Sequence, residues 1–175
     1  MKKVILLGTE HPVQLGEVLP EKFASLLIDL CETNNVKAIA EEINEGDNTV
    51  ALMVSEYLQL KHLYADPDSA TRRERGIPAD IPLDLINEYG NTYPDINVWP
   101  REPSEDNLSK VVWEEYYRRT ENSYRIREQI WLENIIGFNT WPLLFVCGTD
   151  HFEEFSKLMR VSEIEVIESH KHWMP

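Results

Sequence analysis

The chain has 175 residues, 42% of them hydrophobic, with five Trp, seven Tyr and five Phe. That is the size and composition of one globular domain, well away from the disordered class. Seventeen Lys and Arg against 31 Asp and Glu leave a formal net charge of -14, a field that repels nucleic acid and anionic membrane surfaces. Only two cysteines are present and neither sits in a CxxC pair, so no disulfide framework is expected. The apolar run after Lys2-Lys3 is too short for a signal peptide or a membrane span. The expectation is therefore a single cytoplasmic domain over residues 1–175, alone or as a homo-oligomer.

In chain order, Lys3 to Gly8 is a continuous apolar run ended by glycine, the pattern of a strand buried on both faces of a parallel sheet. It leads into Gly8-Thr9-Glu10-His11. Pro20 then opens a helix whose Phe23, Leu26, Leu27 and Leu30 follow the 3.6-residue period. A turn at Thr33-Asn34-Asn35 precedes a second short strand, Val36 to Ala40, which runs without a turn residue into Glu41-Glu42. One βαβ unit is complete there, and its crossover is expected to be right-handed.

A helix is expected from about Asn48 to Leu60, with Ala51, Val54 and Leu58 inward, and a third strand from His62 to Ala65, stopped by Asp66-Pro67-Asp68. From Gly76 to Pro103 five prolines (Pro78, Pro82, Pro94, Pro100 and Pro103) predict an irregular segment, read over 76–103 as a lid or interaction surface. Ser104 to Gly137 reads as one long or two shorter helices. Leu143 to Cys147 is another fully apolar strand. Gly148-Thr149-Asp150-His151, a helix over Phe152 to Met159 and a strand over Glu163 to Ile167 complete the chain.

Two copies of strand, GTxH, helix and strand thus stand about 140 residues apart. The predicted class is α/β, three-layered, around a mainly parallel sheet of about five strands. Equivalent strand ends of a parallel sheet lie on one edge, where ligands bind. If the two GTxH strands are neighbours, His11 and His151 emerge side by side, and Glu41, Glu42 and Asp66 emerge on the same edge.

Two histidines and a carboxylate are the ligand chemistry of a zinc, manganese or cobalt site, here drawn from His11, Glu41 and His151. Without metal, the same groups can act as general base and orienting partner. Alternation places Glu42 with Ala38 and Ala40 and Glu41 with Ile39; either can face the site, and Glu41 is the slight favourite. On the helix from Asn122 to Ile136, Arg127 shares a stripe with Tyr124, Trp131 and Asn134, and either snorkels outward or holds an anion. Glu10, Asp66, Asp150 and Trp131 are candidates for substrate contact. His62 is read as buried and hydrogen-bonded, His170-Lys171-His172 as an adventitious tail, and Cys147 as a core thiol. No Ser nucleophile elbow, Walker loop or GxGxxG fingerprint occurs.

The two GxxH motifs, the glutamate after the second strand and the helix motif Arg127-Glu128-Gln129-Ile130-Trp131 resemble the TraB/PrgY and Tiki superfamily, with which ChaN-like and erythromycin-esterase-like proteins are grouped. The resemblance runs from residue 4 to about 168. It implies a site of Gly8, His11, Gly148, His151 and Glu41 or Glu42, with Arg127 and Glu128 beside it. Trp131 stands where that helix motif usually shows methionine. The implied activity is hydrolysis of a small amide, ester or peptide, divalent-metal-dependent or His/Glu-dependent, with Arg127 stabilising charge. The competing expectation is a regulatory or ligand-binding protein that keeps the pocket but not the chemistry.

Overall fold

A computed structural model describes residues 2–93, 96 and 109–175. The chain divides into two compact units, Met1–Asp68 with Glu128–Pro175, and Ser69–Arg127. The first contains β1 (Lys3–Thr9), α1 (His11–Gln14), α2 (Pro20–Thr33), β2 (Ala38–Glu41), α3 (Val50–Tyr57) and β3 (Lys61–Tyr64). The second contains α4 (Ser69–Glu74) and α5 (Ile81–Tyr89). The division falls within α6 (Lys110–Phe138), after which come β4 (Leu143–Gly148), a 3-10 turn (Thr149–His151), α7 (Phe152–Val161) and β5 (Glu165–Trp173).

The protein is α/β, and its sheet is five-stranded in the order β3-β2-β4-β1-β5, every neighbouring pair parallel. The two GTxH strands, β1 and β4, are adjacent along their whole length, with Gly8 opposite Cys147 and Thr9 opposite Gly148. The two motifs are therefore out of step by one residue.

Alternation along β1 feeds two cores. Ile5 and Leu7, with Ile39, Leu144 and Val146, meet Phe23 and Leu27 of α2 and Val50 and Val54 of α3. Val4 and Leu6, with Ala38, Ala40, Leu143, Phe145 and Cys147, meet Trp131, Leu132 and Ile135 of α6 and Phe155 and Met159 of α7. A strand apolar at every position is thus explained by helices on both faces. The connection leaving β2 goes outward to β3 through α3, and the one leaving β4 goes the other way to β5 through α7. The two connections diverge, so the β2/β4 boundary is the switch point at which open parallel sheets leave a crevice.

Three expectations are corrected. The last strand does not stop near Ile167: β5 continues to Trp173, taking His170 and His172 out of the supposed tail. It reaches that length by two register shifts against β1, between Leu6 and Leu7 and between Leu7 and Thr9, and such bulges bend an edge strand. The segment 76–103 is not irregular throughout, since α5 lies within it. Asp80 caps that helix by accepting from Leu83 N at 2.9 Å, and Pro82 sits in its first turn, where a missing N–H costs nothing. Pro94, Pro100, Pro103 and the start signal at Ser104 and Glu105 lie outside the described residues. Finally, α6 passes through Gly137 and closes at Asn139, which takes φ 47°.

The second unit has its own small core of Leu85, Ile96 and Val112. Beside it, Arg119 bridges Glu88 and Glu115. A cleft of about 590 Å3 in this unit, lined by Ser69, Arg72, Arg73, Ile77, Pro78 and Asp84 among others, includes none of the site residues expected from sequence.

At Gly8 the backbone of the bulged β5 comes close to β1. A Cβ placed there lies 2.0 Å from the Lys171 carbonyl oxygen and 3.0 Å from the Phe152 ring, so backbone, not a flexible side chain, has to move. Gly8→Ala is expected to cost about 3 kcal/mol, read by urea denaturation, with amide exchange rising first along β5.

Candidate functional site

Both strand-end glutamates are buried, and they part company by the two-residue period of the strand. Glu41 follows Ile39 onto the α2/α3 face; Glu42 follows Ala38 and Ala40 onto the α6/α7 face. Pairing persists one residue beyond β2, since Glu42 N donates to Val146 O at 3.0 Å, so the alternation holds at Glu42. The favoured choice of Glu41 for the histidine site is therefore corrected: it is Glu42 that faces the two histidines.

Glu42 is 2% exposed. Its Oε2 accepts from Gly148 N at 2.6 Å. Its Oε1 stands 3.2 Å from His151 Nε2 and 3.7 Å from His11 Nε2. His151 is buried and its Nδ1 lies 2.8 Å from Glu128 Oε1, also buried. His11, at the start of α1, has a side chain 54% exposed. The result is a line of groups, Glu128, His151, Glu42 and His11, running from the core to the surface.

The support beneath His151 comes from α6. Glu128, Trp131, Leu132 and Ile135 are buried at helical spacing. Trp131 presents its ring edgewise to His151, centroids 4.7 Å apart at 63°, and its Nε1 donates to Asp66 Oδ1 at 3.1 Å. Asn134 Nδ2 donates to Ala65 O at 2.9 Å. The residue after β3 thus ties down the helix that carries Glu128. Asp66 and Trp131 buttress the histidine here.

Glu41 forms a separate cluster. Its Oε1 lies 2.7 Å from His62 Nε2 and accepts from Thr49 Oγ1 at 2.5 Å, while Thr49 also caps α3 by accepting from Leu52 N. His62 is the buried, hydrogen-bonded histidine that the sequence suggests. Glu10 is exposed, with Oε1 3.5 Å from His172 Nε2, and Asp150 is exposed on the 3-10 turn. Arg127 belongs to the second unit and is half-buried. Sequence reasoning did not single out Thr49, although a threonine before an apolar helical run is itself a cap signal.

Each glycine of the two motifs makes room for a neighbour. Gly148 has ordinary φ, -61°, but a Cβ on it would stand 3.2 Å from Glu42 Oε2 and 3.7 Å from His151 Cδ2. The backbone has to come this close for its N–H to hold the carboxylate.

Both cysteines are buried free thiols. Burial, and then the charges of Glu42 and Glu128, push the Cys147 thiol well above its ordinary value; burial, and then Glu32, push Cys31 up to about 12. Among the described residues no three His, Cys, Asp or Glu side chains stand as a formed metal-ligand group, and no helix is long and apolar enough to cross a membrane.

Fold and site together define a class: a parallel α/β protein with a carboxylate–histidine line at the switch point of its sheet. Set against known protein families, curated proteins and solved structures, the chain matches none of them.

Two outcomes are expected. Gly148→Ala displaces the Glu42 carboxylate by a few tenths of an ångström, and should lower any activity while leaving the urea midpoint nearly unchanged. Because both thiols titrate higher folded than their unfolded value of about 8.5, their contribution to stability is intact below that pH and is lost as pH rises toward about 12. The urea midpoint should fall between pH 8 and pH 10.5, less so in a Cys31→Ala, Cys147→Ala variant.

Proposed function

We propose that the chain is a hydrolase of a small amide, ester or peptide, working at His11, Glu42 and His151. The single observation that carries this reading is Glu42 Oε1, buried yet placed within 4 Å of two imidazole Nε2 atoms. The resemblance of its GxxH pair to that of the TraB and Tiki group supports the same reading.

The donor set fits a divalent ion such as zinc, manganese or cobalt. It offers two imidazole nitrogens and one carboxylate oxygen, both nitrogens within 4 Å of Glu42 Oε1. Glu128 on the far nitrogen of His151 is the kind of outer carboxylate that orients a ligating imidazole. His11, Glu42 and His151 would hold the ion, which when bound lowers the pKa of a coordinated water and polarises a carbonyl.

The chain's own residues supply the rest. With Nδ1 hydrogen-bonded to Glu128, His151 turns Nε2 toward Glu42, so its orientation is fixed before substrate arrives. Gly148 N–H holds Glu42 in one place, and the Trp131 ring packs edgewise against His151. If the chemistry runs without an ion, Glu42 and His11 can instead accept and pass on the proton that a water loses as it attacks, and His11, half exposed, can exchange that proton with solvent.

The test is a panel of generic ester, amide, peptide and phosphate substrates with and without added Zn, Mn or Co. An amide, ester or peptide should be cleaved, and Glu42→Gln or His151→Ala should lower kcat by about 100-fold or more, with circular dichroism unchanged. Loss of bound metal in a His11→Ala, His151→Ala double variant should accompany loss of activity. Glu41→Gln should not abolish turnover, because its carboxylate lies on the other face. A double variant that keeps every activity ends the proposal.

A further inference from the structure

The cleft in the second unit has a volume of about 590 Å3, within the range of small-molecule sites, about 300–1,000 Å3. No member of the histidine–carboxylate line belongs to it. Part of it comes from the start of 76–103, the segment that the sequence marks as a lid or interaction surface. Its lining combines Arg72 and Arg73 of α4, Ser69 at the start of the same helix, the apolar Ile77 and Pro78, and Asp84 in the first turn of α5.

Local structure holds these residues around the cleft. Gly76 N donates to Arg73 O at 3.2 Å and Ile77 N to Arg72 O at 2.8 Å, with Gly76 at φ 70°, the pair of bonds that closes a helix C-terminus in a Schellman motif. Both accepting carbonyls belong to the arginines, so the turn that ends α4 also fixes the backbone from which their side chains leave. The same turn carries the chain on to Ile77, which is buried, and Pro78. Asp80 then caps α5, and Asp84 N donates to Asp80 O at 3.1 Å, which sets Asp84 in the turn of α5 that lines the cleft.

Charge makes the cleft selective. The run Thr71-Arg72-Arg73-Glu74-Arg75 places three of the 17 Lys and Arg within four positions of a chain whose net charge is -14. That is a cationic spot in a negative field. A guanidinium is the side chain best shaped to take a planar carboxylate through paired N–H bonds. The Asp84 carboxylate and the field of the whole chain both penalise a ligand with more than one negative charge. Ile77 and Pro78 offer side chains without polar atoms, against which a hydrocarbon or aromatic body is drawn out of water.

We propose that this cleft binds a small monocarboxylate with an apolar body: the carboxylate on Arg72 and Arg73, the body on Ile77 and Pro78, and dianions kept out by Asp84. All of its lining residues belong to Ser69–Arg127, and the site owes nothing to the hydrolase reading.

The experiment follows the backbone amide resonances of the full chain during titration with 4-phenylbutyrate, 4-phenylbutanamide, acetate and phenyl phosphate. Phenylbutyrate should shift amides within 69–84 and bind about fivefold or more tightly than each of the other three, the factor expected of a partly exposed charged pair. Arg73→Gln should remove most of the preference for the acid over its amide, and the Arg72→Gln, Arg73→Gln double variant all of it, with the amides of the five-stranded sheet unmoved. Asp84→Asn should tighten phenyl phosphate about threefold or more and leave the neutral amide unchanged. Where the double variant unfolds the second unit, Arg73→Gln alone and Asp84→Asn still decide. A chain terminus is the other source of a carboxylate, and N-acetyl-leucyl-leucine tests it: binding tighter than that of phenylbutyrate overturns the small-acid assignment in favour of a peptide C-terminus. Equal binding of acid and amide, acetate binding as well as phenylbutyrate, shifts centred outside 69–84, or no binding of any probe overturns the site.

Discussion

Burying three carboxylates at one edge of a parallel sheet sets the terms for everything around them. Glu41, Glu42 and Glu128 are each at most 2% exposed, and an ion withdrawn from water is tolerated only when partners replace its hydration. The fold answers with an imidazole for every carboxylate and, at Glu42, with a main-chain N–H as well. That N–H is available because β2 and β4 are neighbours and because Gly148 has no side chain to hold them apart. The site is thus a consequence of strand order before it is a consequence of residue type.

Strand order also explains why the repeated motif is not a structural repeat. The first GTxH leads into a four-residue helix with an exposed histidine, the second into a 3-10 turn with a buried one. A one-residue offset in register separates them. Gly8 admits the Lys171 backbone, whereas Gly148 admits a carboxylate. Two similar strings therefore do different work: one closes the sheet against its bulged edge strand, and the other builds the anion seat. His11, half exposed, is suited to exchanging protons with solvent, and His151, held between two carboxylates, to keeping a fixed direction.

Much of this was legible in sequence, and the remainder was hidden for identifiable reasons. Runs such as Val4 to Leu7 and Leu143 to Val146 announce strands covered on both faces, and glycine followed by Thr-acid-His announces where they end. The parity of Ala38, Ala40 and Glu42 was equally readable. What parity cannot say is which face holds the histidines, because that depends on α6 and α7 packing over Ala40 and Cys147 from far along the chain. Glu128 is a further case: its burial follows from the stripe it shares with Trp131, Leu132 and Ile135, a stripe rotated from the one through Arg127. The extension of β5 depends on two bulges set by long-range pairing with β1, and no local pattern in Ser169 to Trp173 records them.

The two glutamates next to one another invite a last step of synthesis. A dipeptide at a strand end sends its side chains to opposite faces, so Glu41-Glu42 places one carboxylate in each of two environments with a single peptide unit between them. On one face the carboxylate meets histidines and a route to solvent; on the other it meets a histidine, a helix cap and an unfilled acceptor position. The two environments can then be tuned independently, since a change in either side chain alters one face without repacking the other. A rigid parallel strand is what makes that separation possible: a loop carrying the same two residues would let both carboxylates turn toward whichever cation was nearer.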